Sequence, residues 1–182
     1  MIESIVISRL EPDAQRPSFE CTDDDLNEYF HVDSVKDGLH LLSVTYTVSL
    51  DGDVVGFFSV SNDSVRKEDL PSGRKNRFLR LLPWGKRKQY ASLPTVKIGR
   101  LAVGRGLQGQ GVGTAIMDFL KMFFTHKNKT GCRFLVVDAY NQEDVLKFYQ
   151  NNGFEFLLND DMSEKTRLMF FDLHQFVSAA AE

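Results

Sequence analysis

The stretch Thr95-Val96-Lys97-Ile98-Gly99-Arg100-Leu101-Ala102-Val103, followed at once by Gly104-Arg105-Gly106-Leu107-Gln108-Gly109-Gln110-Gly111-Val112-Gly113-Thr114, decides how this chain of 182 residues folds. Its first nine residues are mostly apolar and begin just after Pro94, which predicts a strand. Ile116, Phe119, Leu120 and Phe123 then recur at helical spacing and predict an amphipathic helix over 114–126. Between the two lies a turn with five glycines. Strand, glycine-rich turn and helix together bring backbone N–H groups and a helix N-terminus around one anion. Glycines let that backbone come close and take positive φ.

Three phosphate motifs compete for the turn. A Walker A loop ends in Gly-Lys-Ser/Thr, and Gly113-Thr114 lacks the lysine. Gly104-x-Gly106-x-x-Gly109 has the letters of a dinucleotide fingerprint, but it has no repeated βαβ units and no acidic residue at a strand end about 20 positions on. Gln108-x-x-Gly111-x-Gly113 is the third.

Working outward, 4–10 reads as a first strand that Pro12 helps to end. Thr22 stands ready to cap a helix opening on Asp23-Asp24-Asp25. Strands at 44–50 and 54–61 flank the hairpin turn Asp51-Gly52-Asp53. Residues 64–94 form a surface excursion, with a short helix around 76–82. Downstream come a buried strand at 132–138, a helix at 141–152 closed by Gly153, and an antiparallel pair at 154–158 and 167–173. The tail 174–182 carries no reading. This is one domain, 1–182, of mixed α/β type. Composition agrees: 42% hydrophobic and 26% charged residues describe a globular protein. No apolar run is long enough for a bilayer, no signal peptide is visible, and two cysteines make neither a disulfide framework nor a metal site. The expected location is the cytoplasm, without membrane or metal.

The net charge of −3 hides a segregation. Residues 66–88 hold nine basic side chains against Glu68 and Asp69, a local +7 that leaves −10 for the rest. Such a field draws anions.

The Gln108-x-x-Gly111-x-Gly113 loop, the preceding Ile98-Gly99-Arg100-Leu101-Ala102-Val103 and the later Tyr149-Gln150-Asn151-Asn152-Gly153-Phe154 resemble, in this order, the GNAT N-acetyltransferases. The resemblance covers roughly 3–173. It implies a mixed, mostly antiparallel sheet of about six to seven strands flanked by helices and splayed between 95–103 and 132–138. It also implies acetyl-CoA as co-substrate. The backbone of Leu101, Ala102 and Val103 would pair with the pantetheine arm, and Gln108, Gly109, Gln110, Gly111, Val112, Gly113 and Thr114 would hold the pyrophosphate. Asn141 matches a position near the pantetheine amide, and as an N-cap for 142–152 it has an equally good structural use. Tyr149 resembles the general acid, and beside Phe148 it would also serve as core.

Family members often carry a glutamate on the central strand, whereas Thr95–Leu101 holds Lys97 and Arg100 and no carboxylate. An α-amine, with pKa ~8, needs less help to lose its proton than a lysine at ~10.4. His31 and His40 are candidate bases acting through water. Phe19-Glu20-Cys21…Leu26-Asn27-Glu28-Tyr29 further resembles the toxin subset of the family that acetylates aminoacyl-tRNA. On that reading Arg74, Lys75, Arg77 and Arg80 meet tRNA phosphates, Phe78 and Trp84 stack on bases, and an antitoxin is a partner. The alternatives are acetylation of a small amine or protein N-terminus, with the basic segment a solvated loop, and a non-catalytic acetyl-CoA-binding module. A homodimer is a further expectation, from the aromatic-rich C-terminal part.

Overall fold

The computed structural model describes residues 5–66, 68, 70, 90–158 and 160–179. Seven strands form one sheet: β1 (Val6–Leu10), β2 (Val44–Leu50), β3 (Asp53–Arg66), β4 (Ser92–Val103), β5 (Phe134–Tyr140), β6 (Glu155–Phe156) and β7 (Thr166–Asp172), in the order β1-β2-β3-β4-β5-β7-β6. The helices are α1 (Asp24–Glu28), a π-turn (Tyr29–Asp33), α2 (Ser34–Leu39), α3 (Val112–Thr125), α4 (Glu143–Asn151) and α5 (Leu173–Ala179). The mixed, mostly antiparallel sheet with flanking helices is the expected architecture. The chain divides into two compact units, Met1–Ser61 with Ile98–Phe123, and Asn62–Lys97 with Phe124–Glu182.

In the first unit, β1 and β2 pair antiparallel, and β2 and β3 close a hairpin with Leu50 opposite Asp53. Asp51 and Gly52 both take positive φ, 52° and 95°, as a tight hairpin turn matching the strands' twist demands. Phe57 and Phe58 are neighbours in a strand and so face opposite sides. Phe57 meets Phe19, Tyr29 and Phe30 in one cluster with Cys21 and Ala102. Phe58 stacks on Tyr46 and tilts against Phe119 of α3. The predicted stripe of α3 is real: Ile116 and Leu120 are fully buried.

In the second unit, β7 pairs along its whole length with β5, from Thr166 opposite Tyr140 to Asp172 opposite Phe134. Phe134, Val136, Phe170, Leu93, Val65 and Leu157 share one apolar cluster. Two of this unit's charged pairs are largely buried. Arg133 donates to both oxygens of Asp172, at 2.7 and 2.9 Å. Arg167 donates to Asp161 at 2.7 Å and lies over the Phe156 ring.

Several boundaries differ from the sequence reading. Asp23, not Thr22, caps α1, its carboxylate accepting from the Leu26 amide at 3.2 Å. β3 runs on to Arg66 and β4 starts at Ser92, so both ends of the 64–94 excursion are strand. Pro94 lies inside β4, where its carbonyl accepts from the Arg133 amide. β5 starts and ends two residues later than expected, α3 begins at Val112, and β6 keeps only Glu155–Phe156 of the expected 154–158. Leu173–Ala179 is helical. The helix read around 76–82 lies outside the described residues.

Candidate active site

The glycine turn is held from behind. The Gly104 amide donates to the Val55 carbonyl at 2.8 Å, the Arg105 amide to Glu20 at 2.9 Å, and the Arg105 guanidinium meets the Glu20 carboxylate at 3.0 Å. The Gln108 side chain donates to the Thr22 hydroxyl at 3.0 Å, and the Gln110 side chain to the Gly106 carbonyl at 2.8 Å. The segment that receives these bonds is itself clamped, because the Asn27 amide group bonds both the N–H and the carbonyl of Cys21. Gly106, Gly109 and Gly111 take φ of 81°, 75° and 88°, a conformation that a side chain resists.

The first bond of α3 from this turn runs from the Ala115 amide to the Gly111 carbonyl. Among the described residues, the amides of Gly111, Val112, Gly113 and Thr114 therefore have no acceptor. Four such donors at the start of a 14-residue helix suit a phosphate-sized anion. The residues present fit the coenzyme's diphosphate.

Tyr149 is on α4. Its ring packs on Phe148 and Phe154, with centroids 5.0 and 5.4 Å away. Its carbonyl accepts from the amides of Asn152 and Phe154, and Gly153, at φ 83°, makes that turn possible. A Cβ on Gly153 would lie 3.0 Å from the Phe171 ring. Among the described residues the Tyr149 hydroxyl has no hydrogen-bond partner. Burial pushes the phenol well above its ordinary range, so it stays a proton donor.

A profile of the acetyltransferase (GNAT) family matches residues 6–154. This chain belongs to that family. The tRNA-acetylating toxin of Mycobacterium tuberculosis (strain ATCC 25618 / H37Rv) is 27% identical over 146 residues, which are 80% of this chain and 81% of the toxin. The chain's fold recurs among solved structures. AtaT complexed with acetyl-methionyl-tRNAfMet superposes with a TM-score of 0.73 at 24% identity, covering 97% of this chain and 99% of AtaT. A tyrosine-to-phenylalanine mutant of KacT gives 0.74 at 19%, covering 97% and 99%.

Other expected site residues of this GNAT acetyltransferase fare differently. Asn141 does not cap α4; Gln142 holds that position without a side-chain bond. The Asn141 side chain instead donates to the carbonyls of Met162 and Glu164, at 2.9 and 3.0 Å, tying down the loop before β7. His31 Nε2 lies 3.0 Å from the Phe19 carbonyl, so that nitrogen carries its proton as a donor, and His40 closes α2. Arg100 sits over the Tyr29 ring, 5.0 Å from its centroid. Lys97 is ion-paired with Asp138 on β5. Asp138 escapes a search for carboxylates confined to β4, because only strand adjacency brings the two side chains together. Burial pushes both cysteine thiols up, Cys132 to about 11, so neither is a ready thiolate. Arg74, Lys75, Arg77, Phe78, Arg80 and Trp84 lie outside the described residues. Among the described residues, no three metal-binding side chains gather, and no helix is long and apolar enough to cross a membrane.

Proposed function

We propose that this GNAT enzyme transfers acetyl from acetyl-CoA to the α-amine of an aminoacyl-tRNA, as a toxin neutralised by an antitoxin in the cytoplasm. The observation that carries this reading is the likeness to the tRNA-acetylating toxin over four-fifths of both chains. The +7 segment at 66–88 supports it, since lysines and arginines in one run neutralise RNA phosphates.

The four unclaimed amides of Gly111–Thr114 supply donors for the diphosphate, and Gln108, Gly109 and Gln110 shape that bend. The backbone of Leu101, Ala102 and Val103 is assigned to the pantetheine arm, with Asn141 near its amide. Acetyl-CoA brings the activated acyl group. Tyr149, neutral and buried at its ring, is assigned to protonate the departing sulfur. An α-amine suits a β4 whose 95–101 segment has no carboxylate of its own.

Labelled acetyl-CoA offered with a mixture of charged tRNAs, free amino acids and small amines tests the assignment. Label should appear on charged tRNA and decline steeply with salt. Replacing Arg74, Lys75, Arg77 and Arg80 by alanine should remove that transfer while acetyl-CoA still binds. Label on small amines alone would establish the small-substrate reading instead, and unchanged tRNA acetylation by the quadruple variant would remove the basic segment from the interface.

A further inference from the structure

Even an α-amine with pKa ~8 is about nine-tenths protonated at neutral pH, and an ammonium cannot attack a carbonyl carbon. Something must receive the cation and remove its proton. We infer that the Asp138 carboxylate, resting on Lys97 until substrate arrives, is the group that binds the acceptor's ammonium and takes that proton. The inference deepens the proposed activity and rests on it only for the transfer to a primary amine, whichever amine that is.

Position in the sheet comes first. β4 and β5 are interior strands, with β3 and β7 on their outer sides. The Arg133 amide meets the Pro94 carbonyl at the start of both strands, and Lys97 meets Asp138 further along both, so they advance in the same direction. Side chains alternate in a strand, so Asp138 shares a face with Phe134 and Val136. Those two are 0% and 1% exposed, in one cluster with Leu93 of β4. Two residues past Val136, the same face changes character. The side chains of Lys97 and Asp138 keep 35% and 42% of their surface in water. Interior strands lose their solvent wherever a layer covers them, so the sheet is partly open at this pair. Ligands of parallel strands in α/β sheets enter at the carboxyl ends, where Asp138 stands. The same strand runs on into Tyr140, Asn141 and the helix that carries Tyr149.

The chemistry of the pair fits an exchange of cations. Among the described residues Lys97 is the one partner of the Asp138 carboxylate. A lysine ammonium on a flexible stem is a compact charge that an incoming primary ammonium can replace like for like. Once substrate shields the site from water, one proton passes from nitrogen to the Asp138 oxygen. A cation and an anion become a neutral amine and a neutral acid, which a desolvated site favours. Thr95, two residues before Lys97 on β4, is 3% exposed with a hydroxyl that has no partner among the described residues, marking where the sealed interior stops.

A merely structural ion pair depends on its two partners equally, whereas a receptor with a stand-in cation does not. Steady-state kinetics on bulk charged tRNA and on a mixture of amino-acid amides, with calorimetry on acetyl-CoA alone, reads the difference. Asp138→Asn should lower kcat/KM for the acceptor about 100-fold or more, the lower end of what a positioned base supplies, with acetyl-CoA affinity unchanged. Asp138→Glu should recover part of the loss, and Lys97→Met should not raise the acceptor KM. An exposed pair contributes little to stability, so all three variants should fold as wild type, which circular dichroism checks. Equal losses in Asp138→Asn and Lys97→Met, or wild-type kinetics in Asp138→Asn, would overturn the inference. A wild-type enzyme that acetylates only the amides would overturn the tRNA reading, while the asymmetry measured on those amides would still decide this one.

Discussion

Gly56→Ala offers a quantitative test of the proposal that β4 is set for the coenzyme. Gly56 lies in β3, and a Cβ built on it would stand 2.8 Å from the Ala102 carbonyl oxygen and 3.6 Å from Ile116 Cδ1. Side-chain carbons do not approach a backbone oxygen that closely, and the oxygen belongs to a strand and has no rotamer to change. Restoring an ordinary separation of 3.4 Å takes about 0.6 Å of movement at Ala102. Ala102 is two residues from Gly104, whose amide is fixed on Val55 at 2.8 Å, so the displacement reaches the start of the glycine turn. Overpacking of this kind costs about 1–3 kcal/mol. For a chain of this size each kcal/mol lowers Tm by about 2–4 °C. An ångström-scale misplacement at a binding backbone also weakens the ligand, and a loss of about 1.4 kcal/mol would raise the acetyl-CoA Kd tenfold. Thermal unfolding and calorimetric titration with acetyl-CoA measure both quantities. Gly52→Ala is the control, because its Cβ meets nothing within 4 Å although φ is 95°. It should cost about 1 kcal/mol in the turn and leave the Kd alone. If Gly56→Ala melted and bound acetyl-CoA as wild type does, the close approach of β3 to β4 would not be what sets the strand proposed to pair with pantetheine.

Tyr149→Phe should keep its Tm, since the hydroxyl has no partner among the described residues, and should lose about 100-fold or more in kcat. Because burial raises this phenol, the acid form persists to higher pH, and kcat should hold on the alkaline side past the ordinary tyrosine range near 10. Stability follows the same sign. The neutral phenol contributes fully below pH 10, and folding weakens above it as the unfolded chain ionises first; Tyr149→Phe should flatten that decline in alkaline denaturation. Arg133→Met should cost about 3–5 kcal/mol in urea unfolding, because it strands an Asp172 carboxylate whose side chain is 1% exposed. Gly111→Ala, forced to φ 88°, should weaken acetyl-CoA binding about fivefold to tenfold with little loss of secondary structure, read by titration and circular dichroism.

What the sequence reveals well here is local. The stripe Ile116, Phe119, Leu120 and Phe123 needs only its own spacing, and Asp51-Gly52 needs only the φ preferences of two residues. The glycine turn belongs to the same class, since its amides are unclaimed for reasons internal to the turn and the helix it starts. What it conceals depends on contacts across the chain. Asn141 has two good local uses, and the carbonyls of Met162 and Glu164 give it a third that no spacing reveals. Asp23 displaces Thr22 because two adjacent residues can both cap a helix, and the local sequence does not choose between them. The pairing of 154–158 with 167–173 is legible, but not that β7 spends its full length on β5 and only two residues on β6.

That last arrangement bears on how the protein is made. Each compact unit is assembled from two separated pieces of chain, one unit complete at Phe123 and the other needing residues beyond it. β5 lacks its antiparallel neighbour until β7 has left the ribosome, because β7 stands between β5 and β6. Long-range pairing of this sort is slow and cannot begin early in synthesis. The strand bearing Asp138, and with it the support of the Tyr149 helix, is therefore finished almost last. A nascent chain therefore holds every residue of the glycine turn's unit before the last strand of the other unit exists, and a truncated product has the first without the second.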